Sequence, residues 1–461
     1  MVWPAGGPGA ALHGLLIVVT VGVLSFLVFA TPTQPPVGDE PRYILLGANL
    51  FQHGVLSGQP FDPAVSPLPT PPVGGPLTAL ELAFAMTLDP VTRESLTCLA
   101  ANPAASDTCT VAYPGLKALH VIEISIFLLA LWWITRRLTD NAAAAWFAVF
   151  LALACRDLTF DAGRVLTEPS FLACVGLMLT AWLAVWEDPQ SRLKAALLGL
   201  ALTATILVKP AFQILLPLGL VMMAAALIRQ RGLRPVRFAA SAGTFLIVCL
   251  AGIVPFYVYF SLCCGTASLS APSLLEAALS HRVAYNAMDM REWLAGWIYF
   301  LPDFGDALAP TLFPDVDPIR LGWDANSYYV YGRDVLHAEM QALTRPEPAT
   351  SRLIETFVLG DPVWHSATSA LLFWRGLFVG KLWGLVALPV LLAYPFLKAA
   401  PNRLAFVVLC LPILAIAAIQ SAISVSIPRY NLALILPMSL AVSWTALALA
   451  SYLYRRLRTA S

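Results

Sequence analysis

Runs of roughly 20 residues that carry almost no charge recur along this chain, and they limit its fold more than any other feature. A backbone inside hydrocarbon must satisfy its own N–H and C=O groups, and a helix of about 20 apolar residues does so while crossing the bilayer. About ten runs qualify, at 12–30, 117–135, 142–158, 163–186, 195–208, 211–228, 238–260, 380–397, 404–425 and 431–454. The segment 366–380 reads either as one more span or as a helix lying at the interface. Charged residues make up 12% of the chain, half of the roughly 25% usual in soluble domains. The expected class is therefore an all-α polytopic membrane protein.

Lys and Arg near the span ends set the orientation. With ten spans threaded in order, Arg136 and Arg137, Arg192 and Lys194, Arg229 to Arg237, Lys398 and Arg403, and Arg455 to Arg458 share one side, which should be cytoplasmic. The long connections 32–116 and 261–379 then face the periplasm or exterior. The chain divides on this reading into an N-terminal membrane module (1–260), a second outer loop with interfacial helices (261–379) and a C-terminal group of spans (380–461). The first run is longer than the apolar core of a secretory signal, and no Lys or Arg precedes it, so it reads as a span. No basic stripe accompanies a soluble fold, which argues against nucleic acid as a partner. No internal repeat stands out, which weakens an inverted-repeat transporter.

Of the eight cysteines, Cys98 and Cys109 lie in the first outer loop, where an oxidising compartment would let them pair. Cys155, Cys174, Cys249 and Cys410 read as small apolar side chains, and no C-x-x-C pair suggests zinc. The Pro- and Gly-rich segment 60–76 reads as a shaped loop between apolar runs. In the second loop, Trp293, Trp297, Trp323, Tyr328 and Tyr329 suit either anchoring at the headgroup level or stacking against a sugar.

The acidic pair Asp39 and Glu40 follows the first span in "GDEPRYILLGANLFQHG". The residues after it read as one short helix ending near Gly54, with Asp39 at the N-cap and Pro41 in the first turn. Capping explains Asp39 alone. It leaves Glu40, Arg42 and Tyr43 gathered within one turn at a membrane surface. Threading brings further charges to the same outer layer: Arg156, Asp157, Asp161, Arg164 and Glu168 before one span, Lys209 after another, and Arg429 with Tyr430 before the last. Snorkelling side chains that only orient helices would give the same pattern. Charges at this depth are nonetheless a functional hypothesis by default.

Four stretches resemble a known family when taken in order: "GDEPRY" (38–43), "RVLTEPSFLAC" (164–174), "LVKPAFQILLP" (207–217) and "PRYNLALILP" (428–437). Together they resemble the GT-C superfamily of membrane glycosyltransferases, in particular the aminoarabinose-to-lipid A transferases and the protein O-mannosyltransferases. The chain departs from the pattern in having Val before and Pro after Lys209, and Glu at 168 where Asp is common. The loop 261–379 matches nothing in the family. The resemblance implies a GT-C-like fold, a polyprenyl-phosphate-linked sugar as donor, an acceptor in the cell envelope, and an active site on the periplasmic face of a bacterial inner membrane. A secondary transporter or flippase-type protein is the competing class.

The catalytic candidates are Asp39 and Glu40, with Asp39 as the base that takes a proton from an acceptor hydroxyl. Arg42, Lys209 and Arg429 would hold the donor phosphate, and Tyr43, Arg164, Glu168 and Tyr430 would support them. No cofactor is required by the spacing. A divalent cation on Asp39, Glu40 and Glu168 is the expectation if a metal takes part.

Overall fold

The computed structural model describes residues 8–102, 108–230, 235–342 and 349–460. Among them the secondary structure is helical throughout. Seven helices are long and apolar enough to cross a membrane: Ala11–Ala30, Pro114–Thr139, Glu168–Glu187, Pro210–Arg229, Pro235–Cys264, Arg403–Ile423 and Pro428–Arg458. This is an integral membrane protein of the all-α class. The other three expected spans are shorter helices. Ala142–Leu153 and Leu382–Ala393 have 12 residues each, about 18 Å at 1.5 Å per residue, against a hydrocarbon core of about 30 Å. Arg192–Val208 has 17. The segment 366–380 falls on a 15-residue helix, Pro362–Gly376, which is not among the long apolar ones. Runs of apolar residues overstate span length here because α-helix ends at Leu153, with Cys155 opening a new short helix, and at Ala393, where a 3₁₀ turn at Tyr394–Phe396 follows, although hydropathy carries on past both.

The chain forms two compact units, Met1–Ser270 and Ala271–Ser461. In the first, α1 (Pro8–Ala30) is followed by three short helices, α2 (Glu40–His53), α3 (Pro76–Leu88) and α4 (Pro90–Ala101). The long helix α5 (Pro114–Thr139) leads to α6 (Ala142–Leu153), α7 (Arg156–Asp161) and α8 (Glu168–Glu187). Then come α9 (Arg192–Val208), a 3₁₀ turn at Pro210–Ile214, α10 (Leu215–Arg229) and α11 (Pro235–Cys264). Proline stands in the first turn of α2, α3, α4, α5 and α8, where its missing N–H costs no hydrogen bond. Gly54 closes α2 in the left-handed region, at φ 68°, as a residue without Cβ does at least cost.

The centre of the first unit is α8, the most buried of the long helices, which packs on α5 and α9. Small residues bring these helices close. Gly252 of α11 lies against Thr203 of α9, and Gly176 of α8 against Phe127 and Ala130 of α5, the packing on which helices rely where lipid supplies no hydrophobic drive. The described part of the connection between α1 and α5 is an ordered layer rather than a tail. Tyr43, Ile44, Leu82, Met86, Leu96, Leu99, Tyr113, Leu116, Val165 and Leu166 form one core joining α2, α3 and α4 to the start of α5 and the turn before α8. Segment 60–76 is shaped by Ser57 Oγ donating to Leu68 O at 2.7 Å and by Asn49 Nδ2 donating to Ser57 O and Gln59 O at 3.0 Å. Cys98 and Cys109 are joined by a disulfide.

In the second unit, Arg282 is fully buried and donates to Ser421 O, Asn286 Oδ1, His365 O, Thr368 Oγ1 and Ser369 Oγ, tying three helical segments together. Tyr285, Met288, Tyr328, Leu371, Leu372 and Val425 form its core, with Trp293, Trp297, Tyr329 and Trp364 packed against it. The indoles of Trp293 and Trp364 donate to the backbone at Ala367 and Asn286. These aromatics of the second loop are thus structural members of the unit. Trp323 remains half exposed, with the Arg375 guanidinium over its ring at 4.2 Å.

Candidate functional site

Three of the four motif stretches lie in the first unit, and two ion pairs knit them together. Glu40, the first residue of α2, is 2% exposed and accepts from Arg164 Nη2. Glu168, the first residue of α8, is 4% exposed and stands 3.4 Å from Lys209 Nζ at the end of α9. Arg164 and Glu168 are four residues apart, on the turn between α7 and α8. That turn therefore holds the acidic pair's segment with one end and the lysine's segment with the other. Lys209 also lies 4.2 Å from the centre of the Phe171 ring, one turn into α8, a cation–π contact that fixes its direction.

Asp39 occupies the N-cap of α2, as expected, yet its side chain makes no capping hydrogen bond. Its backbone carbonyl takes that part, accepting from Arg42 N and Tyr43 N at 3.1 and 3.2 Å. Arg42 is exposed, while Tyr43 is buried in the loop core. The expected neighbourhood of Asp39, Glu40, Arg42 and Tyr43 is present, with Glu40 and Tyr43 turned inward and Arg42 outward. Burial pushes the Glu40 carboxyl above its ordinary range, and the Arg164 guanidinium opposes this. The Glu40 carboxylate is thereby held in place by a guanidinium, whereas Arg42 beside Asp39 is exposed. Nearby, the Tyr113 hydroxyl donates to Gln34 O at 3.0 Å, and burial, reinforced by Glu40, raises its pKa.

Arg429 and Tyr430 belong to the second unit, on a 3₁₀ turn at Pro428–Leu434. The guanidinium of Arg429 lies 5.6 Å from the Tyr430 ring centre. Asn431 locks this turn by donating to Gly376 O and Ser426 Oγ, both at 3.0 Å.

Of the three carboxylates expected around any metal, Asp39, Glu40 and Glu168, the last two are engaged with Arg164 and Lys209. Among the described residues a different trio has its donor atoms within 4.8 Å of one another: Glu81 of α3 with His120 and Glu123 of α5. The only local sign of it is a His and a Glu three apart in an apolar helix, since ionisable groups in a span point to function. Nothing in the chain's spacing joins them to Glu81.

No protein-family model and no curated protein matches the sequence. Solved structures do. The chain is similar to the oligosaccharyltransferase of Archaeoglobus fulgidus in its apo form, with 15% identity, TM-score 0.50 and coverage of 97% of this chain and 52% of that one. It is also similar to ArnT from Cupriavidus metallidurans bound to undecaprenyl phosphate, with 15% identity, TM-score 0.40 and coverage of 94% and 77%. A third similar structure is the A. fulgidus oligosaccharyltransferase AglB in complex with an inhibitory peptide and a dolichol-phosphate, with 14% identity, TM-score 0.49 and coverage of 98% and 52%. The chain spans about half the length of the archaeal protein. At such identity the likeness is one of fold, and it agrees with the architecture that the four motifs imply. The chain is a polytopic membrane protein whose fold is similar to that of the A. fulgidus oligosaccharyltransferase.

Proposed function

We propose that this protein is an inverting glycosyltransferase that moves a sugar from a polyprenyl-phosphate donor to a cell-envelope acceptor, such as a glycolipid, glycan or protein, on the periplasmic face of a bacterial inner membrane. One observation carries the reading. The turn before α8 pairs with both the acidic segment and the lysine segment, through Glu40–Arg164 and Glu168–Lys209. Fold-level likeness does not fix a reaction, so the residues must. Here they supply what transfer from a lipid phosphate needs.

Asp39 acts as general base. It takes the proton from the acceptor hydroxyl as that oxygen bonds to the anomeric carbon and the carbon–oxygen bond to phosphate breaks. One displacement inverts the anomeric centre and releases polyprenyl phosphate, which needs no general acid. Charge grows on the departing phosphate, and Lys209 and the outward-facing Arg42 stabilise it more in the transition state than before. Motif likeness assigns Arg429 to the same duty. Glu40, Arg164 and Glu168 hold the base and the lysine in place, with Tyr43 and Tyr430 packed beside their motif partners. The disulfide Cys98–Cys109 in the loop that bears Asp39 suits an oxidising compartment.

The test is a reconstituted assay with a polyprenyl-phosphate sugar. Asp39→Asn should lower turnover by about 100-fold or more, the usual weight of a general base, with the protein still folded and inserted. Near-normal turnover in that variant refutes Asp39 as base. Solute uptake by vesicles without consumption of the donor refutes the whole assignment. Lys209→Ala should lower kcat/KM for the donor by about 10-fold or more, the loss of one charge-assisted contact.

A further inference from the structure

We infer that Glu81, His120 and Glu123 form a binding site for a divalent transition-metal ion of the zinc class, which braces the turn between α7 and α8 from behind. The inference stands apart from the glycosyl-transfer reading, since none of the three residues is assigned to that chemistry.

The cluster joins α3 to α5. His120 is 1% exposed, and its Nδ1 lies 2.9 Å from the carbonyl of Ala162. A carbonyl only accepts, so Nδ1 carries the proton in the neutral ring and the Nε2 lone pair points the other way. It points at a carboxylate: Nε2 is 3.1 Å from Glu81 Oε1. The Glu81 side chain is itself 9% exposed. Its second oxygen accepts from Ser170 Oγ. Glu81 Oε1 and Glu123 Oε2 are both sealed from solvent, and neither accepts a hydrogen bond. Glu81 Oε1 thus faces the ring nitrogen at ion-pair distance. Two inaccessible carboxylates beside one imidazole in a dry place call for more positive charge than a single imidazolium would supply.

Among the described residues no Lys or Arg forms an ion pair with this cluster: Arg164 and Lys209 are engaged with Glu40 and Glu168, and Lys117, one turn earlier on α5, donates to Thr31 O. A divalent ion balances the charge, with two carboxylates against two positive charges and a neutral imidazole as third donor. The geometry suits one. Donor atoms about 2.0–2.2 Å from a metal are about 3–4.4 Å from one another, and here they lie within 4.8 Å, with the nearest measured pair at 3.1 Å. One nitrogen and two carboxylate ligands favour zinc, manganese or iron over a hard ion that would ask for oxygen alone.

The outer partners give the site its consequence. Ala162 O and Ser170 Oγ orient His120 and Glu81, as the second ring of contacts does around bound metals. Those two residues flank Arg164 and Glu168. A bound ion would fix both ends of the turn that carries the two motif ion pairs.

The experiment uses the full chain in detergent, stripped with a chelator and reloaded with Zn²⁺ or Co²⁺. Elemental analysis of wild type should find one additional metal per chain, and Co²⁺ should give visible d–d absorption. Glu123→Gln should lose that equivalent and the absorption while the metal-free form melts within the error of wild type. Ser170→Ala should keep the site but weaken it by about 10-fold or more. Wild type that takes up no metal overturns the inference and leaves a proton shared between the carboxylates. Equal uptake by wild type and Glu123→Gln overturns it too, because the ion then binds elsewhere.

Discussion

At the scale of single residues, the pair Glu40–Arg164 places a 2% exposed carboxylate against a guanidinium. Taking two charges out of water is costly, and deleting one partner leaves the other uncompensated. Arg164→Ala should destabilise the protein by about 3 kcal/mol, read from unfolding in detergent. The loss should depend on pH. Burial already raises the Glu40 carboxyl, and without the guanidinium that rise goes unopposed. A raised folded-state pKa gives stability that is present at low pH and lost as pH rises through it. The defect should therefore be largest under alkaline conditions and shrink on acidification. The double variant Glu40→Gln, Arg164→Met should recover most of the loss, because it removes both charges. If the single and double variants are equally unstable, the pair contributes nothing specific.

At the scale of elements, the join between α3 and α9 is made by backbone. Gly75, at the N-cap of α3, donates its N–H to Val208 O at 3.1 Å, and a Cβ there would stand 1.8 Å from Leu207 O. No side chain can yield, since the obstacle is main chain. Gly75→Ala should cost about 3 kcal/mol, the upper range for overpacking, and should lower kcat/KM for the donor, since Lys209 follows Val208 directly. Gly243→Ala is the control. Its Cβ would meet nothing within 4 Å, so in mid-helix it should be neutral or stabilising by up to about 1 kcal/mol. Thermal unfolding and kinetics of the two variants check both statements. The glycine's neighbours lie far along the chain, so this constraint has no trace in local sequence, whereas the prolines that open α2, α3, α4, α5 and α8 and the Asp89 and Asn141 caps are local and legible.

At the scale of the whole molecule, acid sensitivity should reside in the second unit. His365 accepts from Asn286 Nδ2 at one ring nitrogen and donates to Ala422 O at the other, both at 3.1 Å, so the neutral ring satisfies both neighbours. Burial, with Arg282 close by, pushes its pKa down to about 4. Burial, with Arg333 and His337, does the same to His281, also to about 4. In each case the unfolded chain takes the proton first. Stability is then intact above about 6.5, the ordinary histidine value, and falls as pH drops from there toward 4, by at most about 1.4 kcal/mol per pH unit for each ring. Unfolding midpoints between pH 7 and pH 4.5 should show this decline, and His365→Gln should flatten it. An unchanged slope in that variant would assign the sensitivity to other groups.

Hydropathy and local chemistry by themselves determined the class, the positions of most spans, the helix starts and the residues of the motif stretches. They did so because bilayer thickness, the rigid φ of proline and the capping of free N–H groups each act within a few residues of chain. The tertiary structure alone decided the partners. Spacing along the chain puts Arg42 beside Asp39, and the structure keeps Arg42 N on the Asp39 carbonyl. Only the folded chain gives Glu40 to Arg164, gives Glu168 to Lys209, and brings Glu81 to His120 and Glu123. Such pairings are chosen by how α2, α3, α5, α8 and α9 pack, and packing follows the fit of many side chains at once, which no spacing of two or three residues encodes.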